Sequence, residues 1–406
     1  WTASIAPPDW LRAEWEREYG LTGFTGPAFQ SCVDEVLDRL HVHTGLSEPA
    51  PASSTGRLLA GCTALGYHAT LLPRNVDGCG EDCGFCTFGC RAGAKQSTAR
   101  TYLADAVRHG ARIIPRADVR RVLMEGGRVT GVEALVDGHP LLVRAPRVVM
   151  AAGAIGSPAI LLRSGLDNPN IGRHLHLHPV AAVLGSYAEP ARPWSGRLLS
   201  AYSSHFSRID GNYGFLLEVA PAHPGMGGLA TPWYSGEQYV RELGRLAHAG
   251  VMIVLVRDQG SGRVTVDRHG LHRIDYAVSR YDMQHLLQGQ TEAIRVHAAA
   301  RAERIMTLHA VPNVLETVEP AAVELFARQS ACLLHGPNQL SLFSAHQMGT
   351  CRMGGSRRTA VADPSGQVYG VKGLYVADAS AFPAASGVNP MITIMSLAGW
   401  VSKQIV

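Results

Sequence analysis

Apolar positions recur at helical spacing along the first part of the chain. Trp10–Tyr19 follows Pro8-Asp9, carries acidic residues in its first turns and meets a stop at Gly20, which predicts a helix. Pro27–His43 places Phe29, Val33, Val36, Leu37 and Leu40 on one face and closes at Gly45. Pro49–Gly56 is rich in proline and serine and reads as a turn region, and Ser97–His109 predicts a further amphipathic helix ended by Gly110. The period then changes. Ala111–Pro115 and Val119–Met124 read as short strands, with a turn at Glu125-Gly126-Gly127, and Val129–Val136 and Leu141–Val143 continue an antiparallel meander. Arg147–Ala152 is a continuous apolar strand that runs through Gly153 into a helix at Ser157–Arg163, a pattern suited to a sheet buried on both faces. Pro179–Tyr187, Tyr213–Val219 and Gly250–Val256 are strand-like, and Val264-Thr265-Val266 and Arg273–Val278 flank a turn at Asp267–Gly270. These predict an antiparallel domain with added helices. Buried-strand character returns at Gly373–Ala377, and Met391–Gln404 predicts a closing helix.

Composition narrows the class. At 406 residues the chain exceeds a single domain of about 150, and its 46% hydrophobic and 17% charged content excludes a disordered or fibrous protein. The longest apolar stretches, Val148–Ile155 and Ala249–Val256, fall well short of the roughly 20 residues of a membrane helix, so no transmembrane segment is expected. Basic residues number 37 against 33 acidic, without a long basic run, which argues against nucleic acid as a partner. No secretory signal opens the sequence and no Asn-x-Ser/Thr sequon occurs, so the expected location is cytoplasmic.

Eight cysteines in a chain this long are no disulfide framework by count. Four of them cluster: Cys79, Cys83, Cys86 and Cys90. Thiolates this close could hold zinc or an iron–sulfur cluster, form disulfides or stay reduced, although the spacing matches neither common cluster pattern. Cys32, Cys62, Cys332 and Cys351 read as buried small residues. His174, His176 and His178 alternate, so a regular strand would show all three on one face.

Two segments carry candidate cofactor chemistry. Leu374–Asp378 is an apolar strand ending in an acid, which delivers a carboxylate to the sheet edge where open α/β sheets bind ligands. An ordinary helix N-cap explains the same aspartate. The small residues Ala151-Ala152-Gly153 let a backbone approach a cofactor closely, or simply pack tightly. A glycine-rich phosphate loop after a first strand should accompany them, and none is found. The near match Gly225–Ala230 follows His-Pro and is broken by Pro232, so no helix is expected from it.

Gly153-Ala154-Ile155-Gly156-Ser157-Pro158-Ala159-Ile160-Leu161-Leu162-Arg163-Ser164-Gly165 resembles a signature of the glucose–methanol–choline (GMC) oxidoreductases, departing only beyond it, at Asp167. His346-Gln347-Met348-Gly349-Thr350-Cys351-Arg352-Met353-Gly354, Gly373–Ser380 and Gly387-Val388-Asn389-Pro390-Met391 are similar to the C-terminal region of the same family. Cys83–Cys90 with Lys95–Thr98, and Gly172–Leu175 with Leu177–Pro179, resemble its long-chain-alcohol oxidase branch.

The resemblance implies a mixed α/β fold: a discontinuous Rossmann-like FAD-binding domain and a substrate domain on an antiparallel sheet. The expected division is residues 1–96 as an N-terminal helical segment with the cysteine loop, 97–170 with 340–406 as the FAD-binding domain, and 171–339 as the substrate domain. It further implies FAD as cofactor and oxidation of a hydrophobic or long-chain alcohol to an aldehyde or ketone, with oxygen or another acceptor reoxidising the flavin. By the same resemblance His346 is the proton-accepting base and Asn389 its partner on the substrate oxygen. The backbone of Asn389, Pro390 and Met391 lies at the flavin N1/O2 edge, Asp378 and Ala379 at the ribityl–phosphate region, and Val119 at the adenine. Family members carry a segment ahead of the position of Trp1 that holds the phosphate loop. The expectation is therefore a fragment, or one part of a split enzyme completed by that segment in trans. Rival readings are an inactive fragment, an electron-transfer module on the cysteine loop and a flavin-dependent lyase.

Overall fold

A computed structural model describes residues 2–45, 49–80 and 83–405. Helix α1 (Asp9–Tyr19) is followed by α2 (Pro27–Arg39), which has proline in its first turn, where the missing N–H costs nothing. α2 stops short of His43 because strand β1 (Val42–His43) begins there. Sequence patterning missed α3 (Ser54–Ala64): the Pro/Ser-rich run is its capping segment, with Ser53 Oγ accepting from Gly56 N at 3.1 Å. After β2 (Thr70–Leu71) and β3 (Arg74–Asn75), which pairs with β1, the helix expected at Ser97–His109 is only α4 (Tyr102–Arg108). Ala111–Pro115 is no strand; these residues are exposed and join no sheet among the described residues.

The expected meander forms as β4 (Ala117–Glu125), β5 (Arg128–Val136) and β6 (His139–Arg144). β7 (Val148–Met150) then runs into α5 (Gly153–Arg163), and β8 (Arg173–Leu175), β9 (Val180–Ser186), β10 (Ala201–Ser203) and β11 (Phe215–Val219) follow. Contrary to expectation, the glycine run does form a helix, α6 (Pro224–Ala230), with Pro224 in its first turn. Its glycines admit α7 (Gly236–Arg245): a Cβ on Gly228 would meet Tyr239 Oη at 2.8 Å. The chain continues through β12 (Ala249–Val256), β13 (Gly262–Val266), β14 (His272–Asp275), α8 (Arg280–Ala299), β15 (Arg304–Thr307), β16 (Val314–Leu315), α9 (Pro320–Cys332), β17 (Leu374–Val376) and α10 (Met391–Gln404).

An antiparallel seven-stranded sheet, ordered β16-β15-β9-β12-β11-β10-β2, dominates the middle of the chain. Its central strands β9, β11 and β12 are largely buried on both faces. Ala181, Val183, Phe215, Leu217, Met252 and Val254 pack with residues of α3, α8 and α9 into one core. The alternate positions turn to the other face, where Val180, Ala182, Leu184, Val251, Ile253 and Leu255 wall a cavity. A second core joins α1, α2, α5 and α10 to β7 and β17, which pair in parallel. Cys32, Cys62 and Cys351 are buried as expected, but Cys332 at the end of α9 is exposed. None of the described helices is long and apolar enough to cross a membrane.

α3 sits so close to α8 that a Cβ on Gly61 would lie 2.3 Å from the Val296 carbonyl oxygen. Neither backbone can yield cheaply, so Gly61→Ala is expected to cost about 1–3 kcal/mol, read as a lowered urea midpoint at unchanged slope.

Candidate active site

The walls of the cavity behind the seven-stranded sheet enclose about 560 Å³ and are mostly aliphatic. Its polar groups include His346, Asn389 and Glu218, and Pro390 and Met391 complete that end. Thus four of the residues singled out in the sequence converge on one place. Val119 lies apart, in a wide cavity beside β7 that also touches Ala151, Ala152 and Gly156.

The Asp378 carboxylate is tied into the fold. It accepts from Gly153 N and Ser380 N, both at 2.8 Å, and from the hydroxyls of Ser157 and Ser380. Asp378 starts a single 3-10 turn, Ala379–Ala381, and ties it to α5. Gly153 can bring its N–H to Asp378 because it turns at φ 75, which a residue with a Cβ rarely adopts. Ala379 accepts from Gly349 N at 3.0 Å, which fixes the loop bearing His346 to this hub.

The three alternating histidines do not form a ladder. His174 and His178 have φ of 63 and 47, so β8 ends and the chain kinks. Asp258 holds the kink, accepting from Leu177 N at 2.9 Å, His178 N at 3.1 Å and Tyr276 Oη at 3.0 Å. The kink delivers His178 into the interior beneath His346.

Hydrogen bonds then fix the proton positions. Gly387 N donates to His178 Nε2 at 3.0 Å, so that nitrogen carries no proton and the neutral ring holds it on Nδ1. His178 Nδ1 lies 3.1 Å from His346 Nδ1 and must donate to it. His346 is left with its own proton on Nε2. Burial pushes His346 down to about 4, and burial together with His346 pushes His178 down to about 3, so both rings are neutral at ordinary pH. In this arrangement His346 Nδ1 receives the proton of His178 and Nε2–H is left free of it.

Asn389 Nδ2 stands 3.5 Å from Glu218 Oε2, while Asn389 Oδ1 is buried without a partner. Pro390 caps α10 with no side-chain hydrogen bond, so the first-turn amides of Met391–Thr393 have no capping side chain, and Thr393 Oγ1 is a further buried orphan. Glu218 is a site residue that the sequence reading missed. Its signal was a lone acid inside the apolar strand Phe215-Leu216-Leu217-Glu218-Val219.

A buried ion pair braces this end of the site. Arg257 donates to both carboxylate oxygens of Glu14 in α1, with Nη1–Oε2 at 3.0 Å, and to the carbonyls of Ala385 at 2.8 Å and Asn212 at 2.9 Å. Its guanidinium stacks on Tyr213 at 4.6 Å and Trp10 at 4.8 Å. Gly387 rests on the pair: a Cβ there would touch Arg257 Cδ and Trp10 Cη2 at 3.0 Å.

The cysteine loop lies elsewhere. Cys79, Cys83, Cys86 and Cys90 are free thiols around a space of about 20 Å³. Cys86 Sγ accepts from Arg74 at 3.3 Å and Cys90 Sγ from Lys95 N at 3.3 Å. Among the described residues, no three His, Cys, Asp or Glu side chains are grouped to hold a metal ion.

Two family models described as GMC oxidoreductase match residues 1–180 and 258–398. The long-chain-alcohol oxidase FAO4A of Arabidopsis thaliana is 33% identical over all of this chain, and an uncharacterised GMC-type oxidoreductase of Mycobacterium tuberculosis, Rv0492c, is 34% identical over 98% of it. The chain spans 57% of the plant protein's length and 61% of the mycobacterial one's. Among solved structures, pyridoxine 4-oxidase from Mesorbium loti superposes with a TM-score of 0.70 at 19% identity, covering 98% of this chain and 80% of that one. A formate oxidase variant of Aspergillus oryzae, from work on its FAD modification, gives 0.71 at 14% identity, covering all of this chain and 82% of that one. At these identities the solved structures share the fold.

Proposed function

Because the chain belongs to the GMC oxidoreductase family, we propose that it serves the FAD-dependent oxidation of a hydrophobic alcohol. The observation that carries this reading is the aliphatic cavity whose lining includes His346 and Asn389.

The residues present suit the flavin end of FAD. The uncapped amides of Met391–Thr393 and the orphaned Asn389 Oδ1 and Thr393 Oγ1 want hydrogen-bond partners, and the polar edge of an isoalloxazine ring offers them. Amide donors at a helix start also favour negative charge on that edge. Val119 and the cavity beside β7 suit the adenosine end. Bound there, FAD supplies a hydride acceptor, and this chain's residues position the alcohol. Its hydroxyl oxygen accepts from His346 Nε2–H, and Asn389 supplies a second polar contact. Val180, Ala182, Val251, Ile253 and Leu255 bury the alkyl part and exclude water. Each methylene buried there contributes about 0.8 kcal/mol, so turnover efficiency is expected to rise with chain length until the cavity is full.

The test uses a polypeptide extended by the N-terminal segment that the family resemblance implies, loaded with FAD and mixed anaerobically with primary alcohols of increasing length. Bleaching of the yellow flavin and appearance of the aldehyde are expected. His346→Ala should retain flavin but lose roughly 10²-fold in kcat, the usual cost of removing one donor to a developing oxyanion. A flavin that no alcohol reduces would overturn the reading.

A further inference from the structure

The proposed function leaves the cysteine loop without a role. We infer that this loop is an oxidisable thiol site: Cys86 reduces hydrogen peroxide, Cys79 then closes on it as a reversible disulfide, and the closed loop braces the α6 wall of the cavity. The thiol chemistry does not depend on the proposed alcohol oxidation.

The base of the loop is closed by backbone pairing, with Val76 bridged to Lys95 and Asp77 N donating to Ala94 O at 2.9 Å. Its large apolar side chains, Phe85 and Phe88, are exposed and leave the interior to the cysteines. All four line one space of about 20 Å³, room for a single water-sized group, so their sulfurs can close on one another with little backbone movement. All four are also partly exposed, within reach of a small oxidant.

The sulfurs differ in what surrounds them. Arg74 is fully buried, and among the described residues no carboxylate pairs with it. Its guanidinium donates to the Leu198 and Leu199 carbonyls at 2.6 and 3.1 Å and to Cys86 Sγ at 3.3 Å, while its Nε is buried without a partner. A buried cation calls for an anion, and Cys86 Sγ is the group in its reach that can become one. The thiolate is also the form that attacks peroxide. Cys79 is its complement. Its Sγ–H donates to Gly80 O at 3.5 Å, and burial, opposed by Arg74 and aided by the neighbouring Cys86 and Cys90, pushes its thiol up. It therefore brings a proton to the second step.

The loop also reaches the alcohol cavity. His223 Nε2–H donates to Gly84 O at 2.9 Å, and Phe88 stands edge-on to the His223 ring at 4.4 Å. His223 is the residue before α6, whose Met226, Gly227 and Ala230 line the cavity.

The chemistry balances. Hydrogen peroxide forms wherever oxygen takes two electrons from a reduced flavin. Cys86 Sγ attacks one peroxide oxygen, the O–O bond breaks, and the departing hydroxide takes up a proton as water. The sulfur, now two electrons poorer, is a sulfenic acid. Cys79 Sγ then attacks it, the S–S bond forms, the S–O bond breaks, and the second hydroxide leaves with the Cys79 proton as water. One peroxide and two thiols give one disulfide and two waters.

The test treats the extended, FAD-loaded protein with hydrogen peroxide and no alcohol. A loss of about two thiols per chain is expected, reversed by dithiothreitol, with peptide mass spectrometry finding Cys79 joined to Cys86. Cys86→Ser should lose no thiol at the same dose. Cys79→Ser should stop at the sulfenic acid, which dimedone traps on Cys86. Amide exchange in Pro224–Ala230 is expected to slow roughly threefold or more on oxidation, because the cross-link holds Gly84 and Phe88 against His223. An unchanged thiol count, equal oxidation of C86S, or a bridge that leaves Cys79 free would overturn the site. Unchanged exchange in α6 would overturn its coupling to the cavity. None of these measurements uses an alcohol, so their failure and that of the proposed function are separate results.

Discussion

Residues 1–406 on their own are expected to bind FAD at micromolar strength or weaker. The reason lies at β7. Among the described residues this strand pairs only with β17, and its other edge faces a cavity of about 810 Å³ lined by Val148, Val149 and Met150. A parallel sheet is normally buried on both sides, and an open apolar edge favours association with other chains. At the start of the helix that follows β7, the Gly153 N–H is already taken by Asp378. Each charge-assisted hydrogen bond to a phosphate is worth about 1.5–3 kcal/mol, and each 1.4 kcal/mol is tenfold in affinity. Supplying a strand, glycine-rich loop and helix, in cis or as a second polypeptide, should restore both affinity and solubility. Flavin fluorescence quenching measures the first and light scattering the second. Submicromolar affinity for residues 1–406 alone would refute the argument.

Glu14→Ala is expected to destabilise the fold by about 3–5 kcal/mol, more than truncating most surface side chains. Arg257 is 1% exposed, and its guanidinium is enclosed by Trp10, Tyr213 and the Ala385 and Asn212 carbonyls. Removing the carboxylate leaves that charge buried without a counter-ion. Glu14→Gln keeps hydrogen-bond acceptors and should lose less. Because Gly387 packs on the pair and donates to His178, the alanine variant should also loosen the histidine relay. Chemical denaturation gives the first effect. The imidazole N–H resonances of His178 and His346, which a rigid 3.1 Å contact should hold downfield, report the second.

Much of this architecture was readable where a single local rule decides the outcome. α10 occupies the expected Met391–Gln404 because a long apolar period meets Pro390 at its start. The meander β4–β6 announced itself through alternation and tight turns. Ala111–Pro115 carries two isoleucines and forms no strand, since a strand exists only by pairing and these residues join no sheet among the described residues. α3 hid behind its own cap, where proline and serine mask the helix that Ser53 starts. In the site, segment motifs placed His346, Asn389, Pro390 and Met391 together, although they come from segments more than forty positions apart. The sequence could not reveal what His346 does with its lone pair. That depends on Gly387 and His178, whose contact spans 209 positions and follows from a kink held by Asp258. Nor could it tell whether Glu218 faces water or the cavity, which strand register alone determines.

The Asp378 hub also governs how the molecule is made. It joins Gly153 to a residue 225 positions later, and β17 supplies the parallel partner of β7 from the same late segment. The seven-stranded sheet draws its strands from residues 70 to 315 and can assemble during synthesis. The second core cannot. α1, α2 and α5 must wait, with their apolar faces uncovered, until β17 and α10 have been made. Throughout that interval the nascent chain is a client for chaperones. Loss of β17 and α10 would leave a polypeptide whose early helices lack that half of their core.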